Sequence, residues 1–354
     1  MMFCVRGAQR KRAVTITDVA AAAETSISTV SRAFHEPAMV RADTRERVLE
    51  AAAALGYTPN RAARSLITGR LASVGLVVPD IANPFFPALI KGAQARARAR
   101  DHTLLLVDTD EDPHTEEQVI RGMANQVDGV IAVSARMSDG ALAEVAGLTT
   151  LVLVNRRATG LPAVLLDMAD GMRQAVEHLQ ALGHTHCTYL NGPRASWSNR
   201  QRRTAFRATA KRLSMHTSEL GPLEPSYEAG VQAGDLALAE RPTAIVAFND
   251  LMALGVVARL RARGVDVPGD VSVVGFDDIQ IAGMASPPLT TVAVPSAVAG
   301  RAAVDLLLET IGHEPGGERG AHQLKTELLV RSSTGPPPDP AGRTATAGGR
   351  RAAV

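Results

Sequence analysis

From residue 73 onward the chain alternates short apolar, β-branched runs with stretches of helical composition, whereas residues 15–56 show helical spacing and no strand-like run. The apolar runs are SVGLVV (73–78), TLLLVD (103–108), GVIAV (129–133), TLVLV (150–154), AVLLD (163–167), CTYL (187–190), TAIVAF (243–248) and VSVVGF (271–276). Stretches 87–100, 171–182, 200–213 and 251–263 lie between them and read as helices. Strands this apolar, separated by helices, predict parallel sheets covered on both faces. Eight such runs are many for one open sheet and suit two doubly wound α/β halves.

The head has its own pattern. Thr15 followed by Asp18 is a capping-box arrangement with Asp in place of Glu, and it predicts a helix carrying Ile16, Val19, Ala20 and Ala23 on one face. Glu24-Thr25 interrupts, and Ser26 can cap a second helix from Ile27. There Val30 and Phe34 point toward the first helix and leave Ile27, Ser28 and Arg32 outside. This is the layout of a helix-turn-helix whose second helix reads the major groove through its N-terminal residues; the same spacing also fits an ordinary helical hairpin. Residues 57–72 form a basic connector. Within it Pro59 cannot continue a helix from Tyr57, Asn60 can cap a new one, and Arg61 to Leu66 is too short to be stable alone. The Pro/Gly/Ala/Arg-rich stretch 335–354 reads as a disordered tail without a leucine heptad.

Charge sharpens the division. Residues 1–70 carry 11 Lys/Arg against 6 Asp/Glu, and the remainder of the 354 residues carries 27 against 30. A basic head on a slightly acidic body fits a polyanionic partner, or a merely solubilising head. Only 3% of residues are aromatic, so Ala, Val and Leu must build the core. Cys4 and Cys187 imply neither a disulfide framework nor a zinc site. With no bilayer-length apolar run and no secretory h-region, the expectation is a cytoplasmic protein without membrane contact. No G-x-x-x-x-G-K-[ST] loop, G-x-S-x-G elbow or metal-ligand spacing is present, and the nine His are scattered. His184 suits a helix-end cap. The expectation is therefore a non-enzyme without a cofactor.

Beyond these patterns, Asp18-Val19-Ala20, Ala23, Ser26 and Thr29-Val30-Ser31-Arg32 resemble the N-terminal signature of LacI-family bacterial repressors. The resemblance continues in register through Thr44-Arg45, Val48, Leu55-Gly56-Tyr57-Thr58-Pro59-Asn60 and Ala63-Arg64-Ser65-Leu66. It implies a DNA-binding domain over 15–70 with a hinge helix at about 60–66 that folds on the operator. The DNA contacts so implied are Thr15, Ile27, Ser28, Thr29, Ser31, Arg32, Asn60, Arg64 and Leu66. An apolar wedge such as Leu66 unstacks a base step at a few kcal/mol, offset by added contacts; the other reading of Leu66 is a buried linker residue. Two departures stand out. Glu24-Thr25 occupies the turn where the family usually has Gly-Val, and a left-handed Glu costs about 1 kcal/mol. Arg41 sits where Ser often caps the third helix, with Asp43 in the first turn to compensate through the helix dipole.

The body also resembles the family, whose core is similar to periplasmic sugar-binding proteins, over about 73–334. The matching runs are Asn83-Pro84-Phe85-Phe86, Gly183-His184, Asn191-Gly192-Pro193, Asn249 to Gly255, Val271 to Asp278 and Pro288 to Val292. The resemblance implies an effector-binding core over 71–334. Its N-lobe would span about 71–168 and 295–325, and its C-lobe about 169–294 and 326–334. The ligand contacts implied are Asn83, Phe85, Phe86, Asn155, Arg156, Arg202, Asn249 and Asp277. Such groups suit a sugar, whose hydroxyls donate and accept and whose ring face stacks on aromatic side chains. Asn155-Arg156 replaces a frequent Asp-Arg, Pro225 an aromatic wall for which Tyr227 or Trp197 could substitute, Val294 a Gln, and Ala205 a Gly. The less polar rim fits a less hydroxylated effector, and a non-sugar metabolite such as a nucleobase is the alternative ligand. The expected protein is a homodimeric regulator that binds a pseudo-palindromic double-stranded operator under the control of a small effector, a sugar or sugar-like metabolite. The competing class is a solute-binding protein with no DNA-binding role.

Overall fold

The computed structural model describes residues 14–57, 71–312 and 322–339. These fall into two compact units that divide after Leu71.

Among the described residues the first unit holds three α-helices, α1 (Ile16–Ala22), α2 (Ile27–His35) and α3 (Ala42–Leu55), with a 3₁₀ turn at Pro37–Met39 between the last two. The Asp18 carboxylate accepts the Thr15 backbone N–H at 2.8 Å and its hydroxyl at 2.7 Å, which fixes the start of α1. Ser26 begins α2 by accepting the Thr29 N–H at 3.1 Å. Arg41 makes no side-chain cap on α3, where the Asp43 carboxylate accepts the Thr44 N–H at 2.8 Å. Gly56, at φ 65°, ends α3 in the left-handed conformation that a side chain resists. Val19, Ala20, Ala23, Val30, Ala33, Val48 and Ala52 form the buried core. Side chains this small allow three short helices to approach closely. Phe34 packs partly buried at the edge, its ring 6.0 Å from that of Tyr57.

The second unit holds two six-stranded sheets. The first contains β1 (Ser73–Val78), β2 (Thr103–Asp108), β3 (Gly129–Val133), β4 (Leu151–Val154), β5 (Ala163–Leu166) and β11 (His322–Leu324). The second contains β6 (His186–Leu190), β7 (His216–Leu220), β8 (Ala244–Ala247), β9 (Ser272–Asp277), β10 (Thr290–Ala293) and β12 (Glu327–Leu329). Their strand orders correspond one to one, β11-β5-β4-β3-β1-β2 and β12-β10-β9-β8-β6-β7. Helices α4 (Phe85–Ala99), α5 (Pro113–Met123), α6 (Asp139–Ala146) and α12 (Ser296–Ile311) accompany the first sheet. Helices α7 (Met168–Ala181), α8 (Trp197–Arg212), α9 (Tyr227–Ala239), α10 (Asp250–Ala262) and α11 (Gln280–Met284) accompany the second.

The expectation of parallel sheets needs one correction: β10 and β12 pair antiparallel, because the chain re-enters the second sheet directly from β11 after Lys325-Thr326. Four strands have no counterpart among the expected runs. Strand β7 (HTSEL) is a polar edge, β10 is threonine-rich, and β11 and β12 are three residues each. Full coverage also fails at β2, an edge strand whose Leu105 and Leu106 are 39% and 36% exposed. The largest buried cluster runs from Val74 and Leu76 through Met168 and Met172 to Tyr189, Phe206 and Phe276, so the two sheets' cores are continuous. Helix pairs pack backbone to backbone: a Cβ on Gly92 would lie 2.2 Å from the Ala297 carbonyl oxygen across α4 and α12. In place of a helix cap, His184 is buried against Thr243 Oγ1 at 2.9 Å, Ser272 Oγ at 3.1 Å and the Gly335 carbonyl at 2.9 Å. That contact holds the chain against the second sheet through Gly335, inside the stretch expected as tail; residues 340–354 lie outside the described residues.

Candidate effector cavity and DNA-reading helix

On α2 the outward residues are those that spacing predicted. Ile27 is 49% exposed, Ser28 and Arg32 are exposed, and Thr29 and Ser31 are partly buried. Ser26 Oγ is a hub, 2.8 Å from both Ser28 Oγ and Thr29 Oγ1, so the first turn of α2 is tied together by hydroxyls. The Thr15 hydroxyl is engaged by Asp18 at the start of α1. Asn60, Arg64 and Leu66, and with them the expected hinge helix, lie outside the described residues.

In the second unit a cavity of about 30 Å³ lies at the carboxyl ends of strands from both sheets, where open α/β sheets place ligands. Six of the eight predicted ligand residues line it: Asn83, Phe85, Phe86, Asn155, Arg202 and Asp277. Phe85 and Phe86 lie in the first turn of α4 and not in the preceding loop, with their rings edge to face at 5.0 Å. Asn83 starts that turn by accepting the Phe85 N–H at 3.1 Å. Ser134 and Asn155 directly follow β3 and β4 with left-handed φ of 49° and 53°, and Asp277 ends β9 at φ 115°. The Asn155 amide donates to Ser134 Oγ at 3.1 Å, while Asn155 Oδ1 is buried with no partner among the described residues.

Arg202 is the electrostatic centre. Its guanidinium lies 3.7 Å from the centre of the Phe276 ring and 4.7 Å from that of Phe248. It donates to the Phe248 carbonyl and, at 3.4 Å, to Asp277 Oδ1; its Nε is buried without a partner among the described residues. Burial pushes Asp277 up to about 7, outweighing the Arg202 charge that pulls it down. Asp250 behind it is also pushed well up, first by burial and then by Asp277, although it accepts the Ile279 N–H at 2.9 Å and the Thr291 hydroxyl at 2.5 Å. Burial in turn lowers Arg202, against the pull of Asp277. The cavity wall therefore carries polar atoms that are already desolvated and still unsatisfied, the condition in which a matching ligand gains most.

Two predicted residues stand elsewhere. Asn249 is the N-cap of α10, accepting the Met252 N–H at 3.0 Å and donating to the Pro225 carbonyl at 2.9 Å, and it does not line the cavity. Arg156 is buried beside a neighbouring space, bonded to Asp139 at 2.6 Å. Neither Trp197, packed on the first lobe's core, nor Tyr227, 41% exposed, takes the place of the missing aromatic wall; Pro225 and Phe248 line that side. Val294 and Ala205, the other departures, pack partly buried on the main core. Sequence reasoning missed Glu111 and Arg136. The Arg136 Nη2 donates to Glu111 Oε1 at 2.8 Å, its Nη1 to the Ser134 carbonyl at 2.7 Å, and its own N–H to the buried Glu116 carboxylate at 2.8 Å. Burial raises Glu116 despite the N–H bonds from Arg136 and Met137. Arg136 borders the small cavity and two outer spaces of about 540 and 550 Å³, so the cavity is the inner end of a wider cleft. No local pattern marked this pair, which only the approach of the β2 and β3 ends creates. Among the described residues no helix is long and apolar enough to cross a membrane, and no cluster of His, Cys, Asp and Glu could hold a metal ion.

Comparison with known proteins places both units. Residues 15–60 match the family described as bacterial regulatory proteins, lacI family, and residues 176–334 match a periplasmic binding protein-like domain. The HTH-type transcriptional regulator DegA of Bacillus subtilis (strain 168) is 35% identical over 335 residues, covering 91% of this chain and 98% of DegA. The lac repressor dimer bound to operator and the anti-inducer ONPF superposes with a TM-score of 0.82 at 28% identity, over 92% of this chain and all of that one. A transcriptional regulator CelR–cellobiose complex matches at 30% identity and a TM-score of 0.67, over 90% and 99%. With a three-helix head, a two-lobed core and relatives matched along nearly their whole length, the chain belongs to the lacI family of bacterial regulatory proteins, DNA-binding regulators controlled by small-molecule effectors.

Proposed function

We propose that this protein is a cytoplasmic, homodimeric repressor whose operator affinity is set by a sugar or sugar-like ligand held between the core lobes. The lobe boundaries expected from sequence, with crossings near 168, 294 and 325, are part of this reading. The observation that carries it is the convergence of Asn83, Phe85, Phe86, Asn155, Arg202 and Asp277 on one cavity, with Asn155 Oδ1 and Arg202 Nε buried and unsatisfied. Neutral hydroxyls satisfy such atoms while a ring face covers Phe85 and Phe86. A drug-sized pocket spans about 300–1,000 Å³, so a sugar that fills the inner cavity needs the lobes to part and then close on it, which makes lobe closure the variable an effector controls. Similar proteins solved with cellobiose or with ONPF support this reading. A partly apolar ring such as a nucleobase is the second reading, favoured by Pro225, Phe248 and the paired phenylalanines on the wall.

In the head, Ile27, Ser28, Thr29, Ser31 and Arg32 read base edges and Thr15 meets the backbone. Asn60, Arg64 and Leu66 act in the hinge, with Arg64 on phosphate. Exposed Leu105 and Leu106 on the β2 edge offer an apolar seam to a second copy. The test is operator selection followed by fluorescence anisotropy in a panel of sugars and nucleobases. A ligand should shift operator affinity, and removal of residues 1–70 should abolish specific DNA binding while calorimetric ligand binding persists. Operator binding retained without those residues, or no ligand response across both panels, sinks the assignment.

A further inference from the structure

The cleft has a second polar face that a neutral sugar leaves unused. A space of about 550 Å³ is bordered by Arg136, Arg156 and Arg200, with only Glu117 and Asp139 as lining carboxylates. Arg136 and Arg156 come from the loops after β3 and β4, and Arg200 from α8, so the guanidinium groups approach from both lobes. Their counter-charges are incomplete. Glu117 is engaged by Arg121 at 2.7 Å on the outer face of α5, and Arg136 already holds Glu111. Arg156 reaches Asp139, whose side chain is 74% exposed, while its own is 5% exposed and its Nε is buried with no partner among the described residues. Arg200 is exposed and bonds the Ala195 carbonyl at 3.4 Å. Burial lowers Arg156 most; Asp139 opposes this, and the Arg200 and Arg136 charges push it further down.

We propose that this space is an anion site, taking an oxyanion carried by the effector, phosphoryl or carboxylate, between Arg156 of the first lobe and Arg200 of the second. This rests on the reading of an effector held between the lobes. Arg156 Nη2 donates to Asp139 at 2.6 Å and to the Met137 carbonyl at 3.3 Å, which leaves Nε–H as the unused donor for an anion oxygen. An anion also reverses the electrostatics of closure. Arg156 and Arg200 repel across the cleft when it is empty, and a bridging anion makes their approach favourable. The anion thus binds the closed state more tightly than the open one, which is the differential affinity a switch requires.

Calorimetry on the full-length protein tests this with inorganic phosphate, citrate and neutral glucose, ionic strength being matched with sodium chloride. Phosphate or citrate should bind above the chloride background, and the stronger of the two distinguishes a phosphoryl from a carboxylate group. Arg200→Gln, at an exposed position that the fold does not need, should weaken that binding roughly tenfold or more, as loss of a charged hydrogen bond does. Arg156→Lys should also weaken it, because that Nε–H is lost while the charge stays. Arg212→Gln, an exposed arginine paired with Glu177 elsewhere on α8, should leave it unchanged. Absence of anion binding, full binding by Arg200→Gln, or equal loss in Arg212→Gln would each overturn the site. Glucose binding without phosphate or citrate binding would also overturn it and would leave the neutral-sugar cavity standing.

Discussion

Left-handed backbone recurs along the chain, and the head turn and the cavity wall use it with different consequences. Glu24, between α1 and α2, sits at φ 50° with its side chain in solvent. Around the cavity, Ser134, Asn155 and Asp277 hold φ of 49°, 53° and 115° with their side chains lining the wall. The backbone cost is of the same order in both, roughly 1–3 kcal/mol for a residue held in a sparsely populated region. In the head, no hydrogen bond to the glutamate side chain occurs among the described residues, and glycine would serve the geometry better. At the strand ends the same conformation turns polar groups into the cleft. Asparagine and aspartate tolerate it because their short polar side chains bond locally. Strain beside an apolar core is incidental; strain beside unsatisfied buried polar atoms marks the functional wall.

The contrast can be broken most strongly at Arg202. Arg202→Leu leaves Asp277 and Asp250 buried without their cation and should cost about 3–5 kcal/mol in urea unfolding, abolishing effector binding as well. A loss below 1 kcal/mol would mean that the cavity wall is not electrostatically strained. Next is the pH dependence of Asp277. Its folded pKa near 7 lies above the ordinary 3.8, so its contribution to stability is full below 3.8 and is lost as pH rises through about 7. Asp277→Asn should therefore flatten the decline in melting temperature over that window, and a parallel decline in the variant would place the titration elsewhere. Asn155→Gly relaxes the rim but removes its amide; effector affinity should fall roughly tenfold, one or more hydrogen bonds' worth, while stability changes little. Smallest is Glu24→Gly, which should raise stability by up to about 1 kcal/mol and leave operator affinity intact. A destabilised Glu24→Gly would show that the glutamate side chain contributes to the turn.

Strands β1 and β3 coincide with their apolar runs residue for residue, because strands at the centre of a helix-covered sheet have no solvent face to write an alternating pattern. Strand β7 was illegible for the opposite reason: it is an edge whose Glu219 is held by Arg203, at 2.6 Å, and by Arg207, a polarity that reads as loop. Asn249 shows the limit for sites. An Asn after a strand and before a helix satisfies the requirements of a cap and of a ligand contact equally well, and here the Met252 N–H takes it.

Local rules thus settled the caps, the turn at Glu24 and the buried strands, since each depends on residues a few positions apart. Family resemblance supplied the candidate cleft residues, and the packing of strand ends and helices carried six of them to one wall. The Arg136–Glu111 pair, the separation of Arg156 from Asn155, the orphaned Arg202 Nε and the exposure of β2 all arise where distant strand ends and sheet edges meet. Burial and charge pairing at such junctions depend on which groups arrive together, and that is a property of the packed chain, not of any short stretch of it.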